Sequence, residues 1–301
     1  MPDFSIINFN GIGQLAKPIE KLIEKVSAGI GMLHEPTRIR RKAKAEAEAK
    51  AIEVRNKIAM DKLLAQAEIE NVKLGQRALH RFVQEEVKAQ QNMEDVLKGA
   101  THYLNEDAQP EKMDNDWMTH FFGKCRAVSN KEMQDLWSKI LAGEANHPGS
   151  FSKRTVEFVS TISKGEAETF TRLCRHVWVI HGEPIPLVHE VDSDICKGNG
   201  IFYAVLKNLD SLGLIYFDGF LGYKLRKLPG LITASYCGEI FQLPVPEKKK
   251  GVLIVGKVLF SPMGLELFRI TDAPRLEGMV EHTRDEWCKK GYTPLSTCPR
   301  A

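Results

Sequence analysis

Apolar residues near the start of the chain recur at alternating three- and four-residue intervals: Ile12, Leu15, Ile19, Leu22, Val26, Ile30 and Leu33. That spacing gathers them on one face of a helix, with Lys17, Glu20, Lys21, Glu24 and Lys25 on the other. Pro18 suits a first helical turn, while Gly29 and Gly31 weaken the far end, so the firm part of the predicted helix is Pro18 to Ala28. Ile19, Leu22, Ile23 and Val26 form a face that needs an apolar cover. The rest of the protein, an identical neighbour, another protein or a membrane interface would each supply one.

A second pattern follows and is much longer. Between Pro36 and Pro110 there is no proline, and Gly75 and Gly99 are the only glycines. About sixty residues at ~1.5 Å each make a predicted rod of roughly 90 Å over 36–98. A helix of that length is seldom part of a compact enzyme core; it suits a stalk, a strut or an oligomerising arm. Its first half alternates Ala43, Ala45, Ala47, Ala49 and Ala51 with Lys and Glu, which favours helix but offers nothing to bury. Further on, Ile52, Ile58, Leu63, Leu64, Ile69, Val72, Leu79, Phe82, Val83 and Val87 supply a broad stripe. No heptad persists beyond two repeats, so a long regular coiled coil is not predicted. The half from about Met60 is expected to pack on the helices that follow, with Gly75 as the place for a bend.

Residues 116–142 read as two short helices around a capping box at Ser129 and Glu132. Trp117, Phe121, Phe122, Met133, Leu136, Trp137, Ile140 and Leu141 are the candidate core there. The turn Asn146-His147-Pro148-Gly149 precedes a helix from about Ser152 to Ser160. A second box, Ser163 with Glu166, starts a helix carrying Phe170, Leu173, Val177 and Trp178. Beyond Pro184 and Pro186 the pattern shifts toward strands. Phe202, Val205, Leu206, Leu209 and Leu212 predict a helix stopped by Gly213. Leu214 to Phe217 and Gly222 to Leu225 then predict a hairpin about Asp218-Gly219. A strand from about Val252 to Phe260 and a helix capped by Ser261 with Pro262 in its first turn complete the set. A helix, then "LGLI", then a hairpin is the habit of winged-helix domains. The expected class is therefore mainly α with a C-terminal α+β unit: a long N-terminal helix, a helical core and a winged-helix-like domain. The boundaries are an amphipathic segment over 1–35, a stalk over 36–98, a helical core over 99–182, the α+β unit over 183–290 and a tail over 291–301.

Charge refines this layout. The net charge of +3 is small, but Arg38 to Lys57 holds eight basic and three acidic residues. Arg38, Arg40, Arg41, Lys42 and Lys44 put five cations in seven residues, directly after the amphipathic helix. They suit anionic lipid headgroups or a nucleic-acid backbone, or a solvated helix start paired with Glu46, Glu48 and Glu53. In the C-terminal unit a nucleic-acid surface would draw on Lys207, Lys224, Arg226 and Lys227, a meagre set for a recognition helix and wing.

Composition excludes more than it assigns. Hydrophobic and charged fractions of 43% and 27% are those of an ordinary globular protein. Six scattered cysteines form no C-x-x-C pair, no signal peptide is visible, and no apolar run is long enough to span a bilayer. A cytoplasmic chain with reduced thiols is expected, its N-terminal end at most peripheral at the inner membrane. Glu144, His147 and Ser150 cluster near a turn but form no nucleophile elbow, and His176 and His181, five apart, lack metal-ligand spacing. No catalytic residue, metal site or cofactor is predicted, and a non-enzyme is expected.

The segments LAKPIEKLIEKVSAGIG, RIRRKAKAEAEAKAI, RALHRFVQEEVKAQQNME, EDAQPEKMDNDWMTHFFGKCRAVSNKEMQDLWSKILAGEANHPGSFSKRT and LDSLGLI together resemble a bacterial family, the domain-of-unknown-function 2806 family. The likeness spans roughly residues 12–270 and implies no activity or catalytic residue. The helical core followed by a winged-helix-like piece is also similar in architecture to proteins of abortive phage infection. That likeness implies a role in phage defence. The expected function is a bacterial interaction or assembly protein, homo-oligomeric through its first two helices or touching a partner or membrane there. A winged-helix nucleic-acid-binding regulator is the alternative.

Overall fold

A computed structural model describes residues 16–30 and 65–295. The chain divides after Ser160 into two compact units. In the first, every regular element among the described residues is helical. It comprises α1 (Ala16–Ile30), α2 (Ala65–Ala100), α3 (Asn115–Cys125), α4 (Lys131–Asn146) and α5 (Lys153–Val159), with single 3-10 turns at Thr101–Tyr103 and Pro110–Lys112. The second adds α6 (Lys164–Cys174), β1 (Val177–Ile180), β2 (Glu183–Pro186), α7 (Asp194–Gly198), α8 (Tyr203–Ser211), β3 (Ile215–Phe217), β4 (Tyr223–Leu225), β5 (Leu231–Tyr236) and β6 (Glu239–Pro244). It ends with β7 (Leu253–Gly256), β8 (Val258–Phe260), α9 (Pro262–Phe268) and α10 (Met279–Lys289). The layout is helical followed by α+β.

The first unit is built on aromatic packing and close helix approach. Trp117 stacks on Phe121 at 5.0 Å, and Phe121 meets Phe122 and Trp137 edge-on. The Trp117 indole donates to the Phe151 carbonyl at 2.7 Å, so its polar edge is satisfied in the core. The last three turns of α2 lie against α4, where the buried Ser138 hydroxyl donates to the Val96 carbonyl at 2.9 Å. A Cβ on Gly99 would stand 2.3 Å from Ser138 Oγ and 3.0 Å from its Cβ, so this crossing needs the glycine. Asn92, Gln134 and the carbonyls of Arg126 and Val128 complete a buried polar network across the same contact. The cap of α4 is Asn130, whose side chain accepts from the Met133 amide at 3.1 Å; the predicted Ser129 box is therefore displaced by one residue. At Ser163 the predicted box forms with both of its hydrogen bonds.

The second unit holds a four-stranded antiparallel sheet in the order β2-β1-β5-β6. Alternation along β5 buries Ile232, Ala234 and Tyr236. These pack with Trp178, Phe241, Leu243 and the α10 residues Met279, Val280 and Trp287 in one core. Trp178 is the hub, stacked on Tyr236 at 5.2 Å and edge-on to Trp287 at 5.1 Å. Val177 and Trp178 belong to a strand, not to the helix predicted from Ser163, because α6 stops at Cys174 and "VWVI" pairs with β2 and β5.

The predicted hairpin about Asp218-Gly219 is also corrected. β3 does not pair with β4. Ile215 faces Phe260 and Phe217 faces Val258, while Tyr223 faces Gly256 and Leu225 faces Leu253. Residues 215–225 thus form one arm of a ribbon and 253–260 the other, and the single strand expected from Val252 to Phe260 is broken at Lys257. Residues 218–222 bulge from the first arm as a loop. The helix start at Ser261 is as predicted, its hydroxyl accepting from the Gly264 amide and donating to the Gly213 carbonyl.

Candidate interaction surfaces

The apolar face of α1 is not open. Ile19, Leu22 and Val26 are buried within the first unit, against α3 and the turn at Pro110–Lys112, and Ile23 is half-buried. A Cβ on Gly29 would meet the Met118 methyl at 2.8 Å, and Lys21 pairs with Glu111 at 3.2 Å on the rim. The expected exposed anchor is closed internally, because α3 offers it an apolar partner in the same chain. Arg38, Arg40, Arg41, Lys42 and Lys44 lie outside the described residues.

An open apolar surface occurs instead on α2. The helix runs unbroken through Gly75; among its described side chains, those of 73–88 are exposed and the buried ones fall between Ala89 and Ala100. Leu79, Phe82, Val83 and Val87 are all exposed, Phe82 at 58%. At ~100° per residue they fall within an arc of about 140°, in which Leu79 and Phe82 point in the directions of buried Leu97 and Ala100. The expectation that this half packs on later helices holds for Ala89 to Ala100, which lie against α3 and α4, and is corrected for 73–88, whose side chains are exposed. Charge along the same segment runs Lys73, Arg77, His80 and Arg81 toward its start, then Glu85 and Glu86, with Lys88 after them. Arg81 and Glu85 lie 3.6 Å apart, and Glu86 pairs with Arg126, which ties the arm to its unit.

The predicted nucleic-acid residues separate into two kinds. Lys207, on α8, is held by Asp210 at 3.2 Å, and Asp210 also accepts from the Phe217 amide. Lys224 on β4, with Arg226 and Lys227 after it, is exposed and has no ionic partner among the described residues. Between α8 and β4 the loop 218–222 carries Phe220 and Leu221, 92% and 85% exposed. Pattern reading passed over these two because they stand inside a turn. The signal was two adjacent apolar residues flanked by glycines in D-G-F-L-G.

Buried titratable groups collect elsewhere in the second unit. His176 is fully buried and its Nε2 lies 3.0 Å from the Asn199 amide; neither ring nitrogen of buried His189 has a hydrogen-bond partner among the described residues. Burial, aided by the charges of His282 and Arg175, lowers His176 from the ordinary 6.5 to about 4. Burial and the Lys290 charge lower His189 to about 3, against an opposing pull from Glu286. Desolvation opposes charge on Glu286, but ion pairs with Lys289 and Lys290 at 2.9 and 2.6 Å outweigh it and hold the carboxyl at about 2. His176 follows α6 and His181 sits in the β1–β2 turn with φ 51°, so the two do not converge. Among the described residues no three His, Cys, Asp or Glu side chains are arranged to hold a metal ion. No described helix is long and apolar enough to cross a membrane.

Glu144 has a structural duty. Its buried carboxylate accepts from the amides of Gly149 at 2.7 Å and Phe151 at 2.9 Å, folding the turn that brings Phe151 to Trp117. Ser150 donates to the His147 carbonyl, so the three residues do not form a nucleophile–base pair.

Among the described residues these surfaces define a helical unit with an exposed apolar stripe on α2 and an α+β unit with a basic, apolar-tipped ribbon. The chain belongs to the family described as protein of unknown function (DUF2806), which matches residues 76–283. Comparison with curated proteins and with solved structures gives no match.

Proposed function

We propose that the chain is a non-enzymatic assembly protein that pairs with a second copy of itself through the exposed stripe of α2. The observation that carries this is the set Leu79, Phe82, Val83 and Val87, exposed together on one face of a helix whose lower half is core. A soluble helix seldom leaves such a face in water. Charge supports an antiparallel arrangement of the two copies. Centring the pair on Val83 sets Leu79 against the other copy's Val87 and Arg81 against its Glu85, whereas a parallel pair would align like charges. Light scattering on the full chain should read a dimer. Phe82→Asp would place a charge in the seam and weaken association by about a hundredfold or more. Leu74→Asp, about 140° around the helix from Leu79, should leave the mass unchanged. A wild-type monomer at all concentrations ends the proposal. A defence role belongs to the same reading: expression should lower phage plaque counts, and Phe82→Asp should restore them.

A second reading rests on Lys224, Arg226 and Lys227, which lack ionic partners. In it α8 and the β3–β8 ribbon act as a winged-helix-like nucleic-acid surface. Lys224→Glu with Arg226→Glu should abolish a salt-sensitive gel shift, and no shift at low salt removes the reading.

A further inference from the structure

The loop 218–222 presents an apolar tip that the fold holds outward. Phe220 and Leu221 are the two most exposed large apolar side chains among the described residues. The loop is not slack. Asp218 accepts from the Phe220 and Leu221 amides at 2.9 and 3.0 Å, and those bonds keep its carboxyl below the ordinary value. Its own amide donates to the Lys257 carbonyl at 3.0 Å. Gly222 has φ 67°, and a Cβ there would stand 2.6 Å from the Gly256 carbonyl oxygen. At Gly219 a Cβ would press on the Tyr203 ring at 3.0 Å. Both glycines are thus fixed by close approach to the ribbon and to α8. A tip ordered in advance loses little freedom when it binds.

Its surroundings select the partner. From Gly219 to Leu231 the chain carries Lys224, Arg226 and Lys227 and no acidic residue. The one nearby carboxylate in the loop, on Asp218, is turned onto its own amides. Tyr203, half-exposed, lies against Gly219 at the base of the tip, an amphipathic ring of the kind that settles at a lipid–water boundary. A convex tip has no groove for an extended peptide, and Leu221 has no face on which a base could stack. We infer that this tip is a membrane-docking element: Phe220 and Leu221 enter the interfacial layer of an anionic phospholipid surface while Lys224, Arg226 and Lys227 lie on its headgroups. This docking does not depend on pairing through α2.

The test is flotation of the full chain with vesicles of phosphatidylcholine alone and with about a third phosphatidylserine. Binding is expected on the anionic vesicles only. Phe220→Ser with Leu221→Ser should weaken it by about tenfold or more, with an unchanged melting temperature because neither side chain is packed. Lys224→Glu with Arg226→Glu should remove the preference for anionic lipid. The four native tryptophans are buried, so Phe220→Trp adds a single surface reporter whose emission should shift to the blue on anionic vesicles. Absence of wild-type binding overturns the inference. So does binding that survives the Phe220/Leu221 pair and is lost only with Arg40→Glu and Arg41→Glu, and so does retention of the chain by single-stranded DNA in preference to these vesicles.

Discussion

Acidification should destabilise the second unit before its carboxylates titrate. His176 and His189 are neutral in the fold, lowered from 6.5 to about 4 and about 3, while in the unfolded chain both bind a proton near the ordinary value. The unfolded state therefore holds more protons at any pH between those limits. Stability is complete above about pH 6.5 and is lost progressively as the pH falls toward the folded-state values. Moving from about pH 7.5 to about pH 5 should cost about 2 kcal/mol for each ring, hence about 4 kcal/mol together. His282, lowered by partial burial, adds to the loss in the same direction. Glu286 does not confound this window: its folded value of about 2 places its contribution below the ordinary 4.5. Amide exchange followed by mass spectrometry reads each unit separately, and the opening free energy of β1, β5 and α10 should fall across the window. His189→Leu should reduce the slope by about 1.4 kcal/mol per pH unit, one proton's worth. An unchanged slope in that variant, or a His189 ring that titrates near 6.5 by NMR, would refute the reasoning.

Two further expectations concern the first unit. Gly99→Ala should gain helix propensity yet lower stability by about 1–3 kcal/mol, because the methyl would collide with Ser138; adding Ser138→Gly should recover most of the loss, read by thermal melts in a double-mutant cycle. Glu144→Gln leaves one of two buried amides facing a donor instead of a carboxylate oxygen, costing about 1–3 kcal/mol, and faster exchange at the Gly149 and Phe151 amides would report it.

Local signals were legible and long-range pairings were not. Ser163 with Glu166, Gly213 after α8 and Ser261-Pro262 before α9 each act within one helical turn, so these residues, read as caps and stops, form them, while the cap read at Ser129 falls one residue on at Asn130. "VWVI" follows a capped helical pattern and extends it in sequence, but its backbone pairs along its whole length with β2 and at Val179 and Ile180 with β5, more than fifty residues on. The β3–β4 segment misleads for the same reason. Its turn residues promise a hairpin, but the hydrogen-bond partners are β8 and β7, and Asp218 spends its carboxylate on the loop amides. Among candidate sites, the α1 face was visible as a stripe, yet periodicity does not say what covers it, and α3 does. The α2 stripe and the tip at Phe220 and Leu221 became candidates only once the fold showed which apolar residues it leaves in water.

The mass of the full chain in solution, measured by light scattering across a dilution series, tests the central proposal most directly. A dimer that Phe82→Asp converts to a folded monomer and Leu74→Asp leaves intact is the predicted result. A monomer at every concentration, or a dimer indifferent to Phe82→Asp, would contradict it.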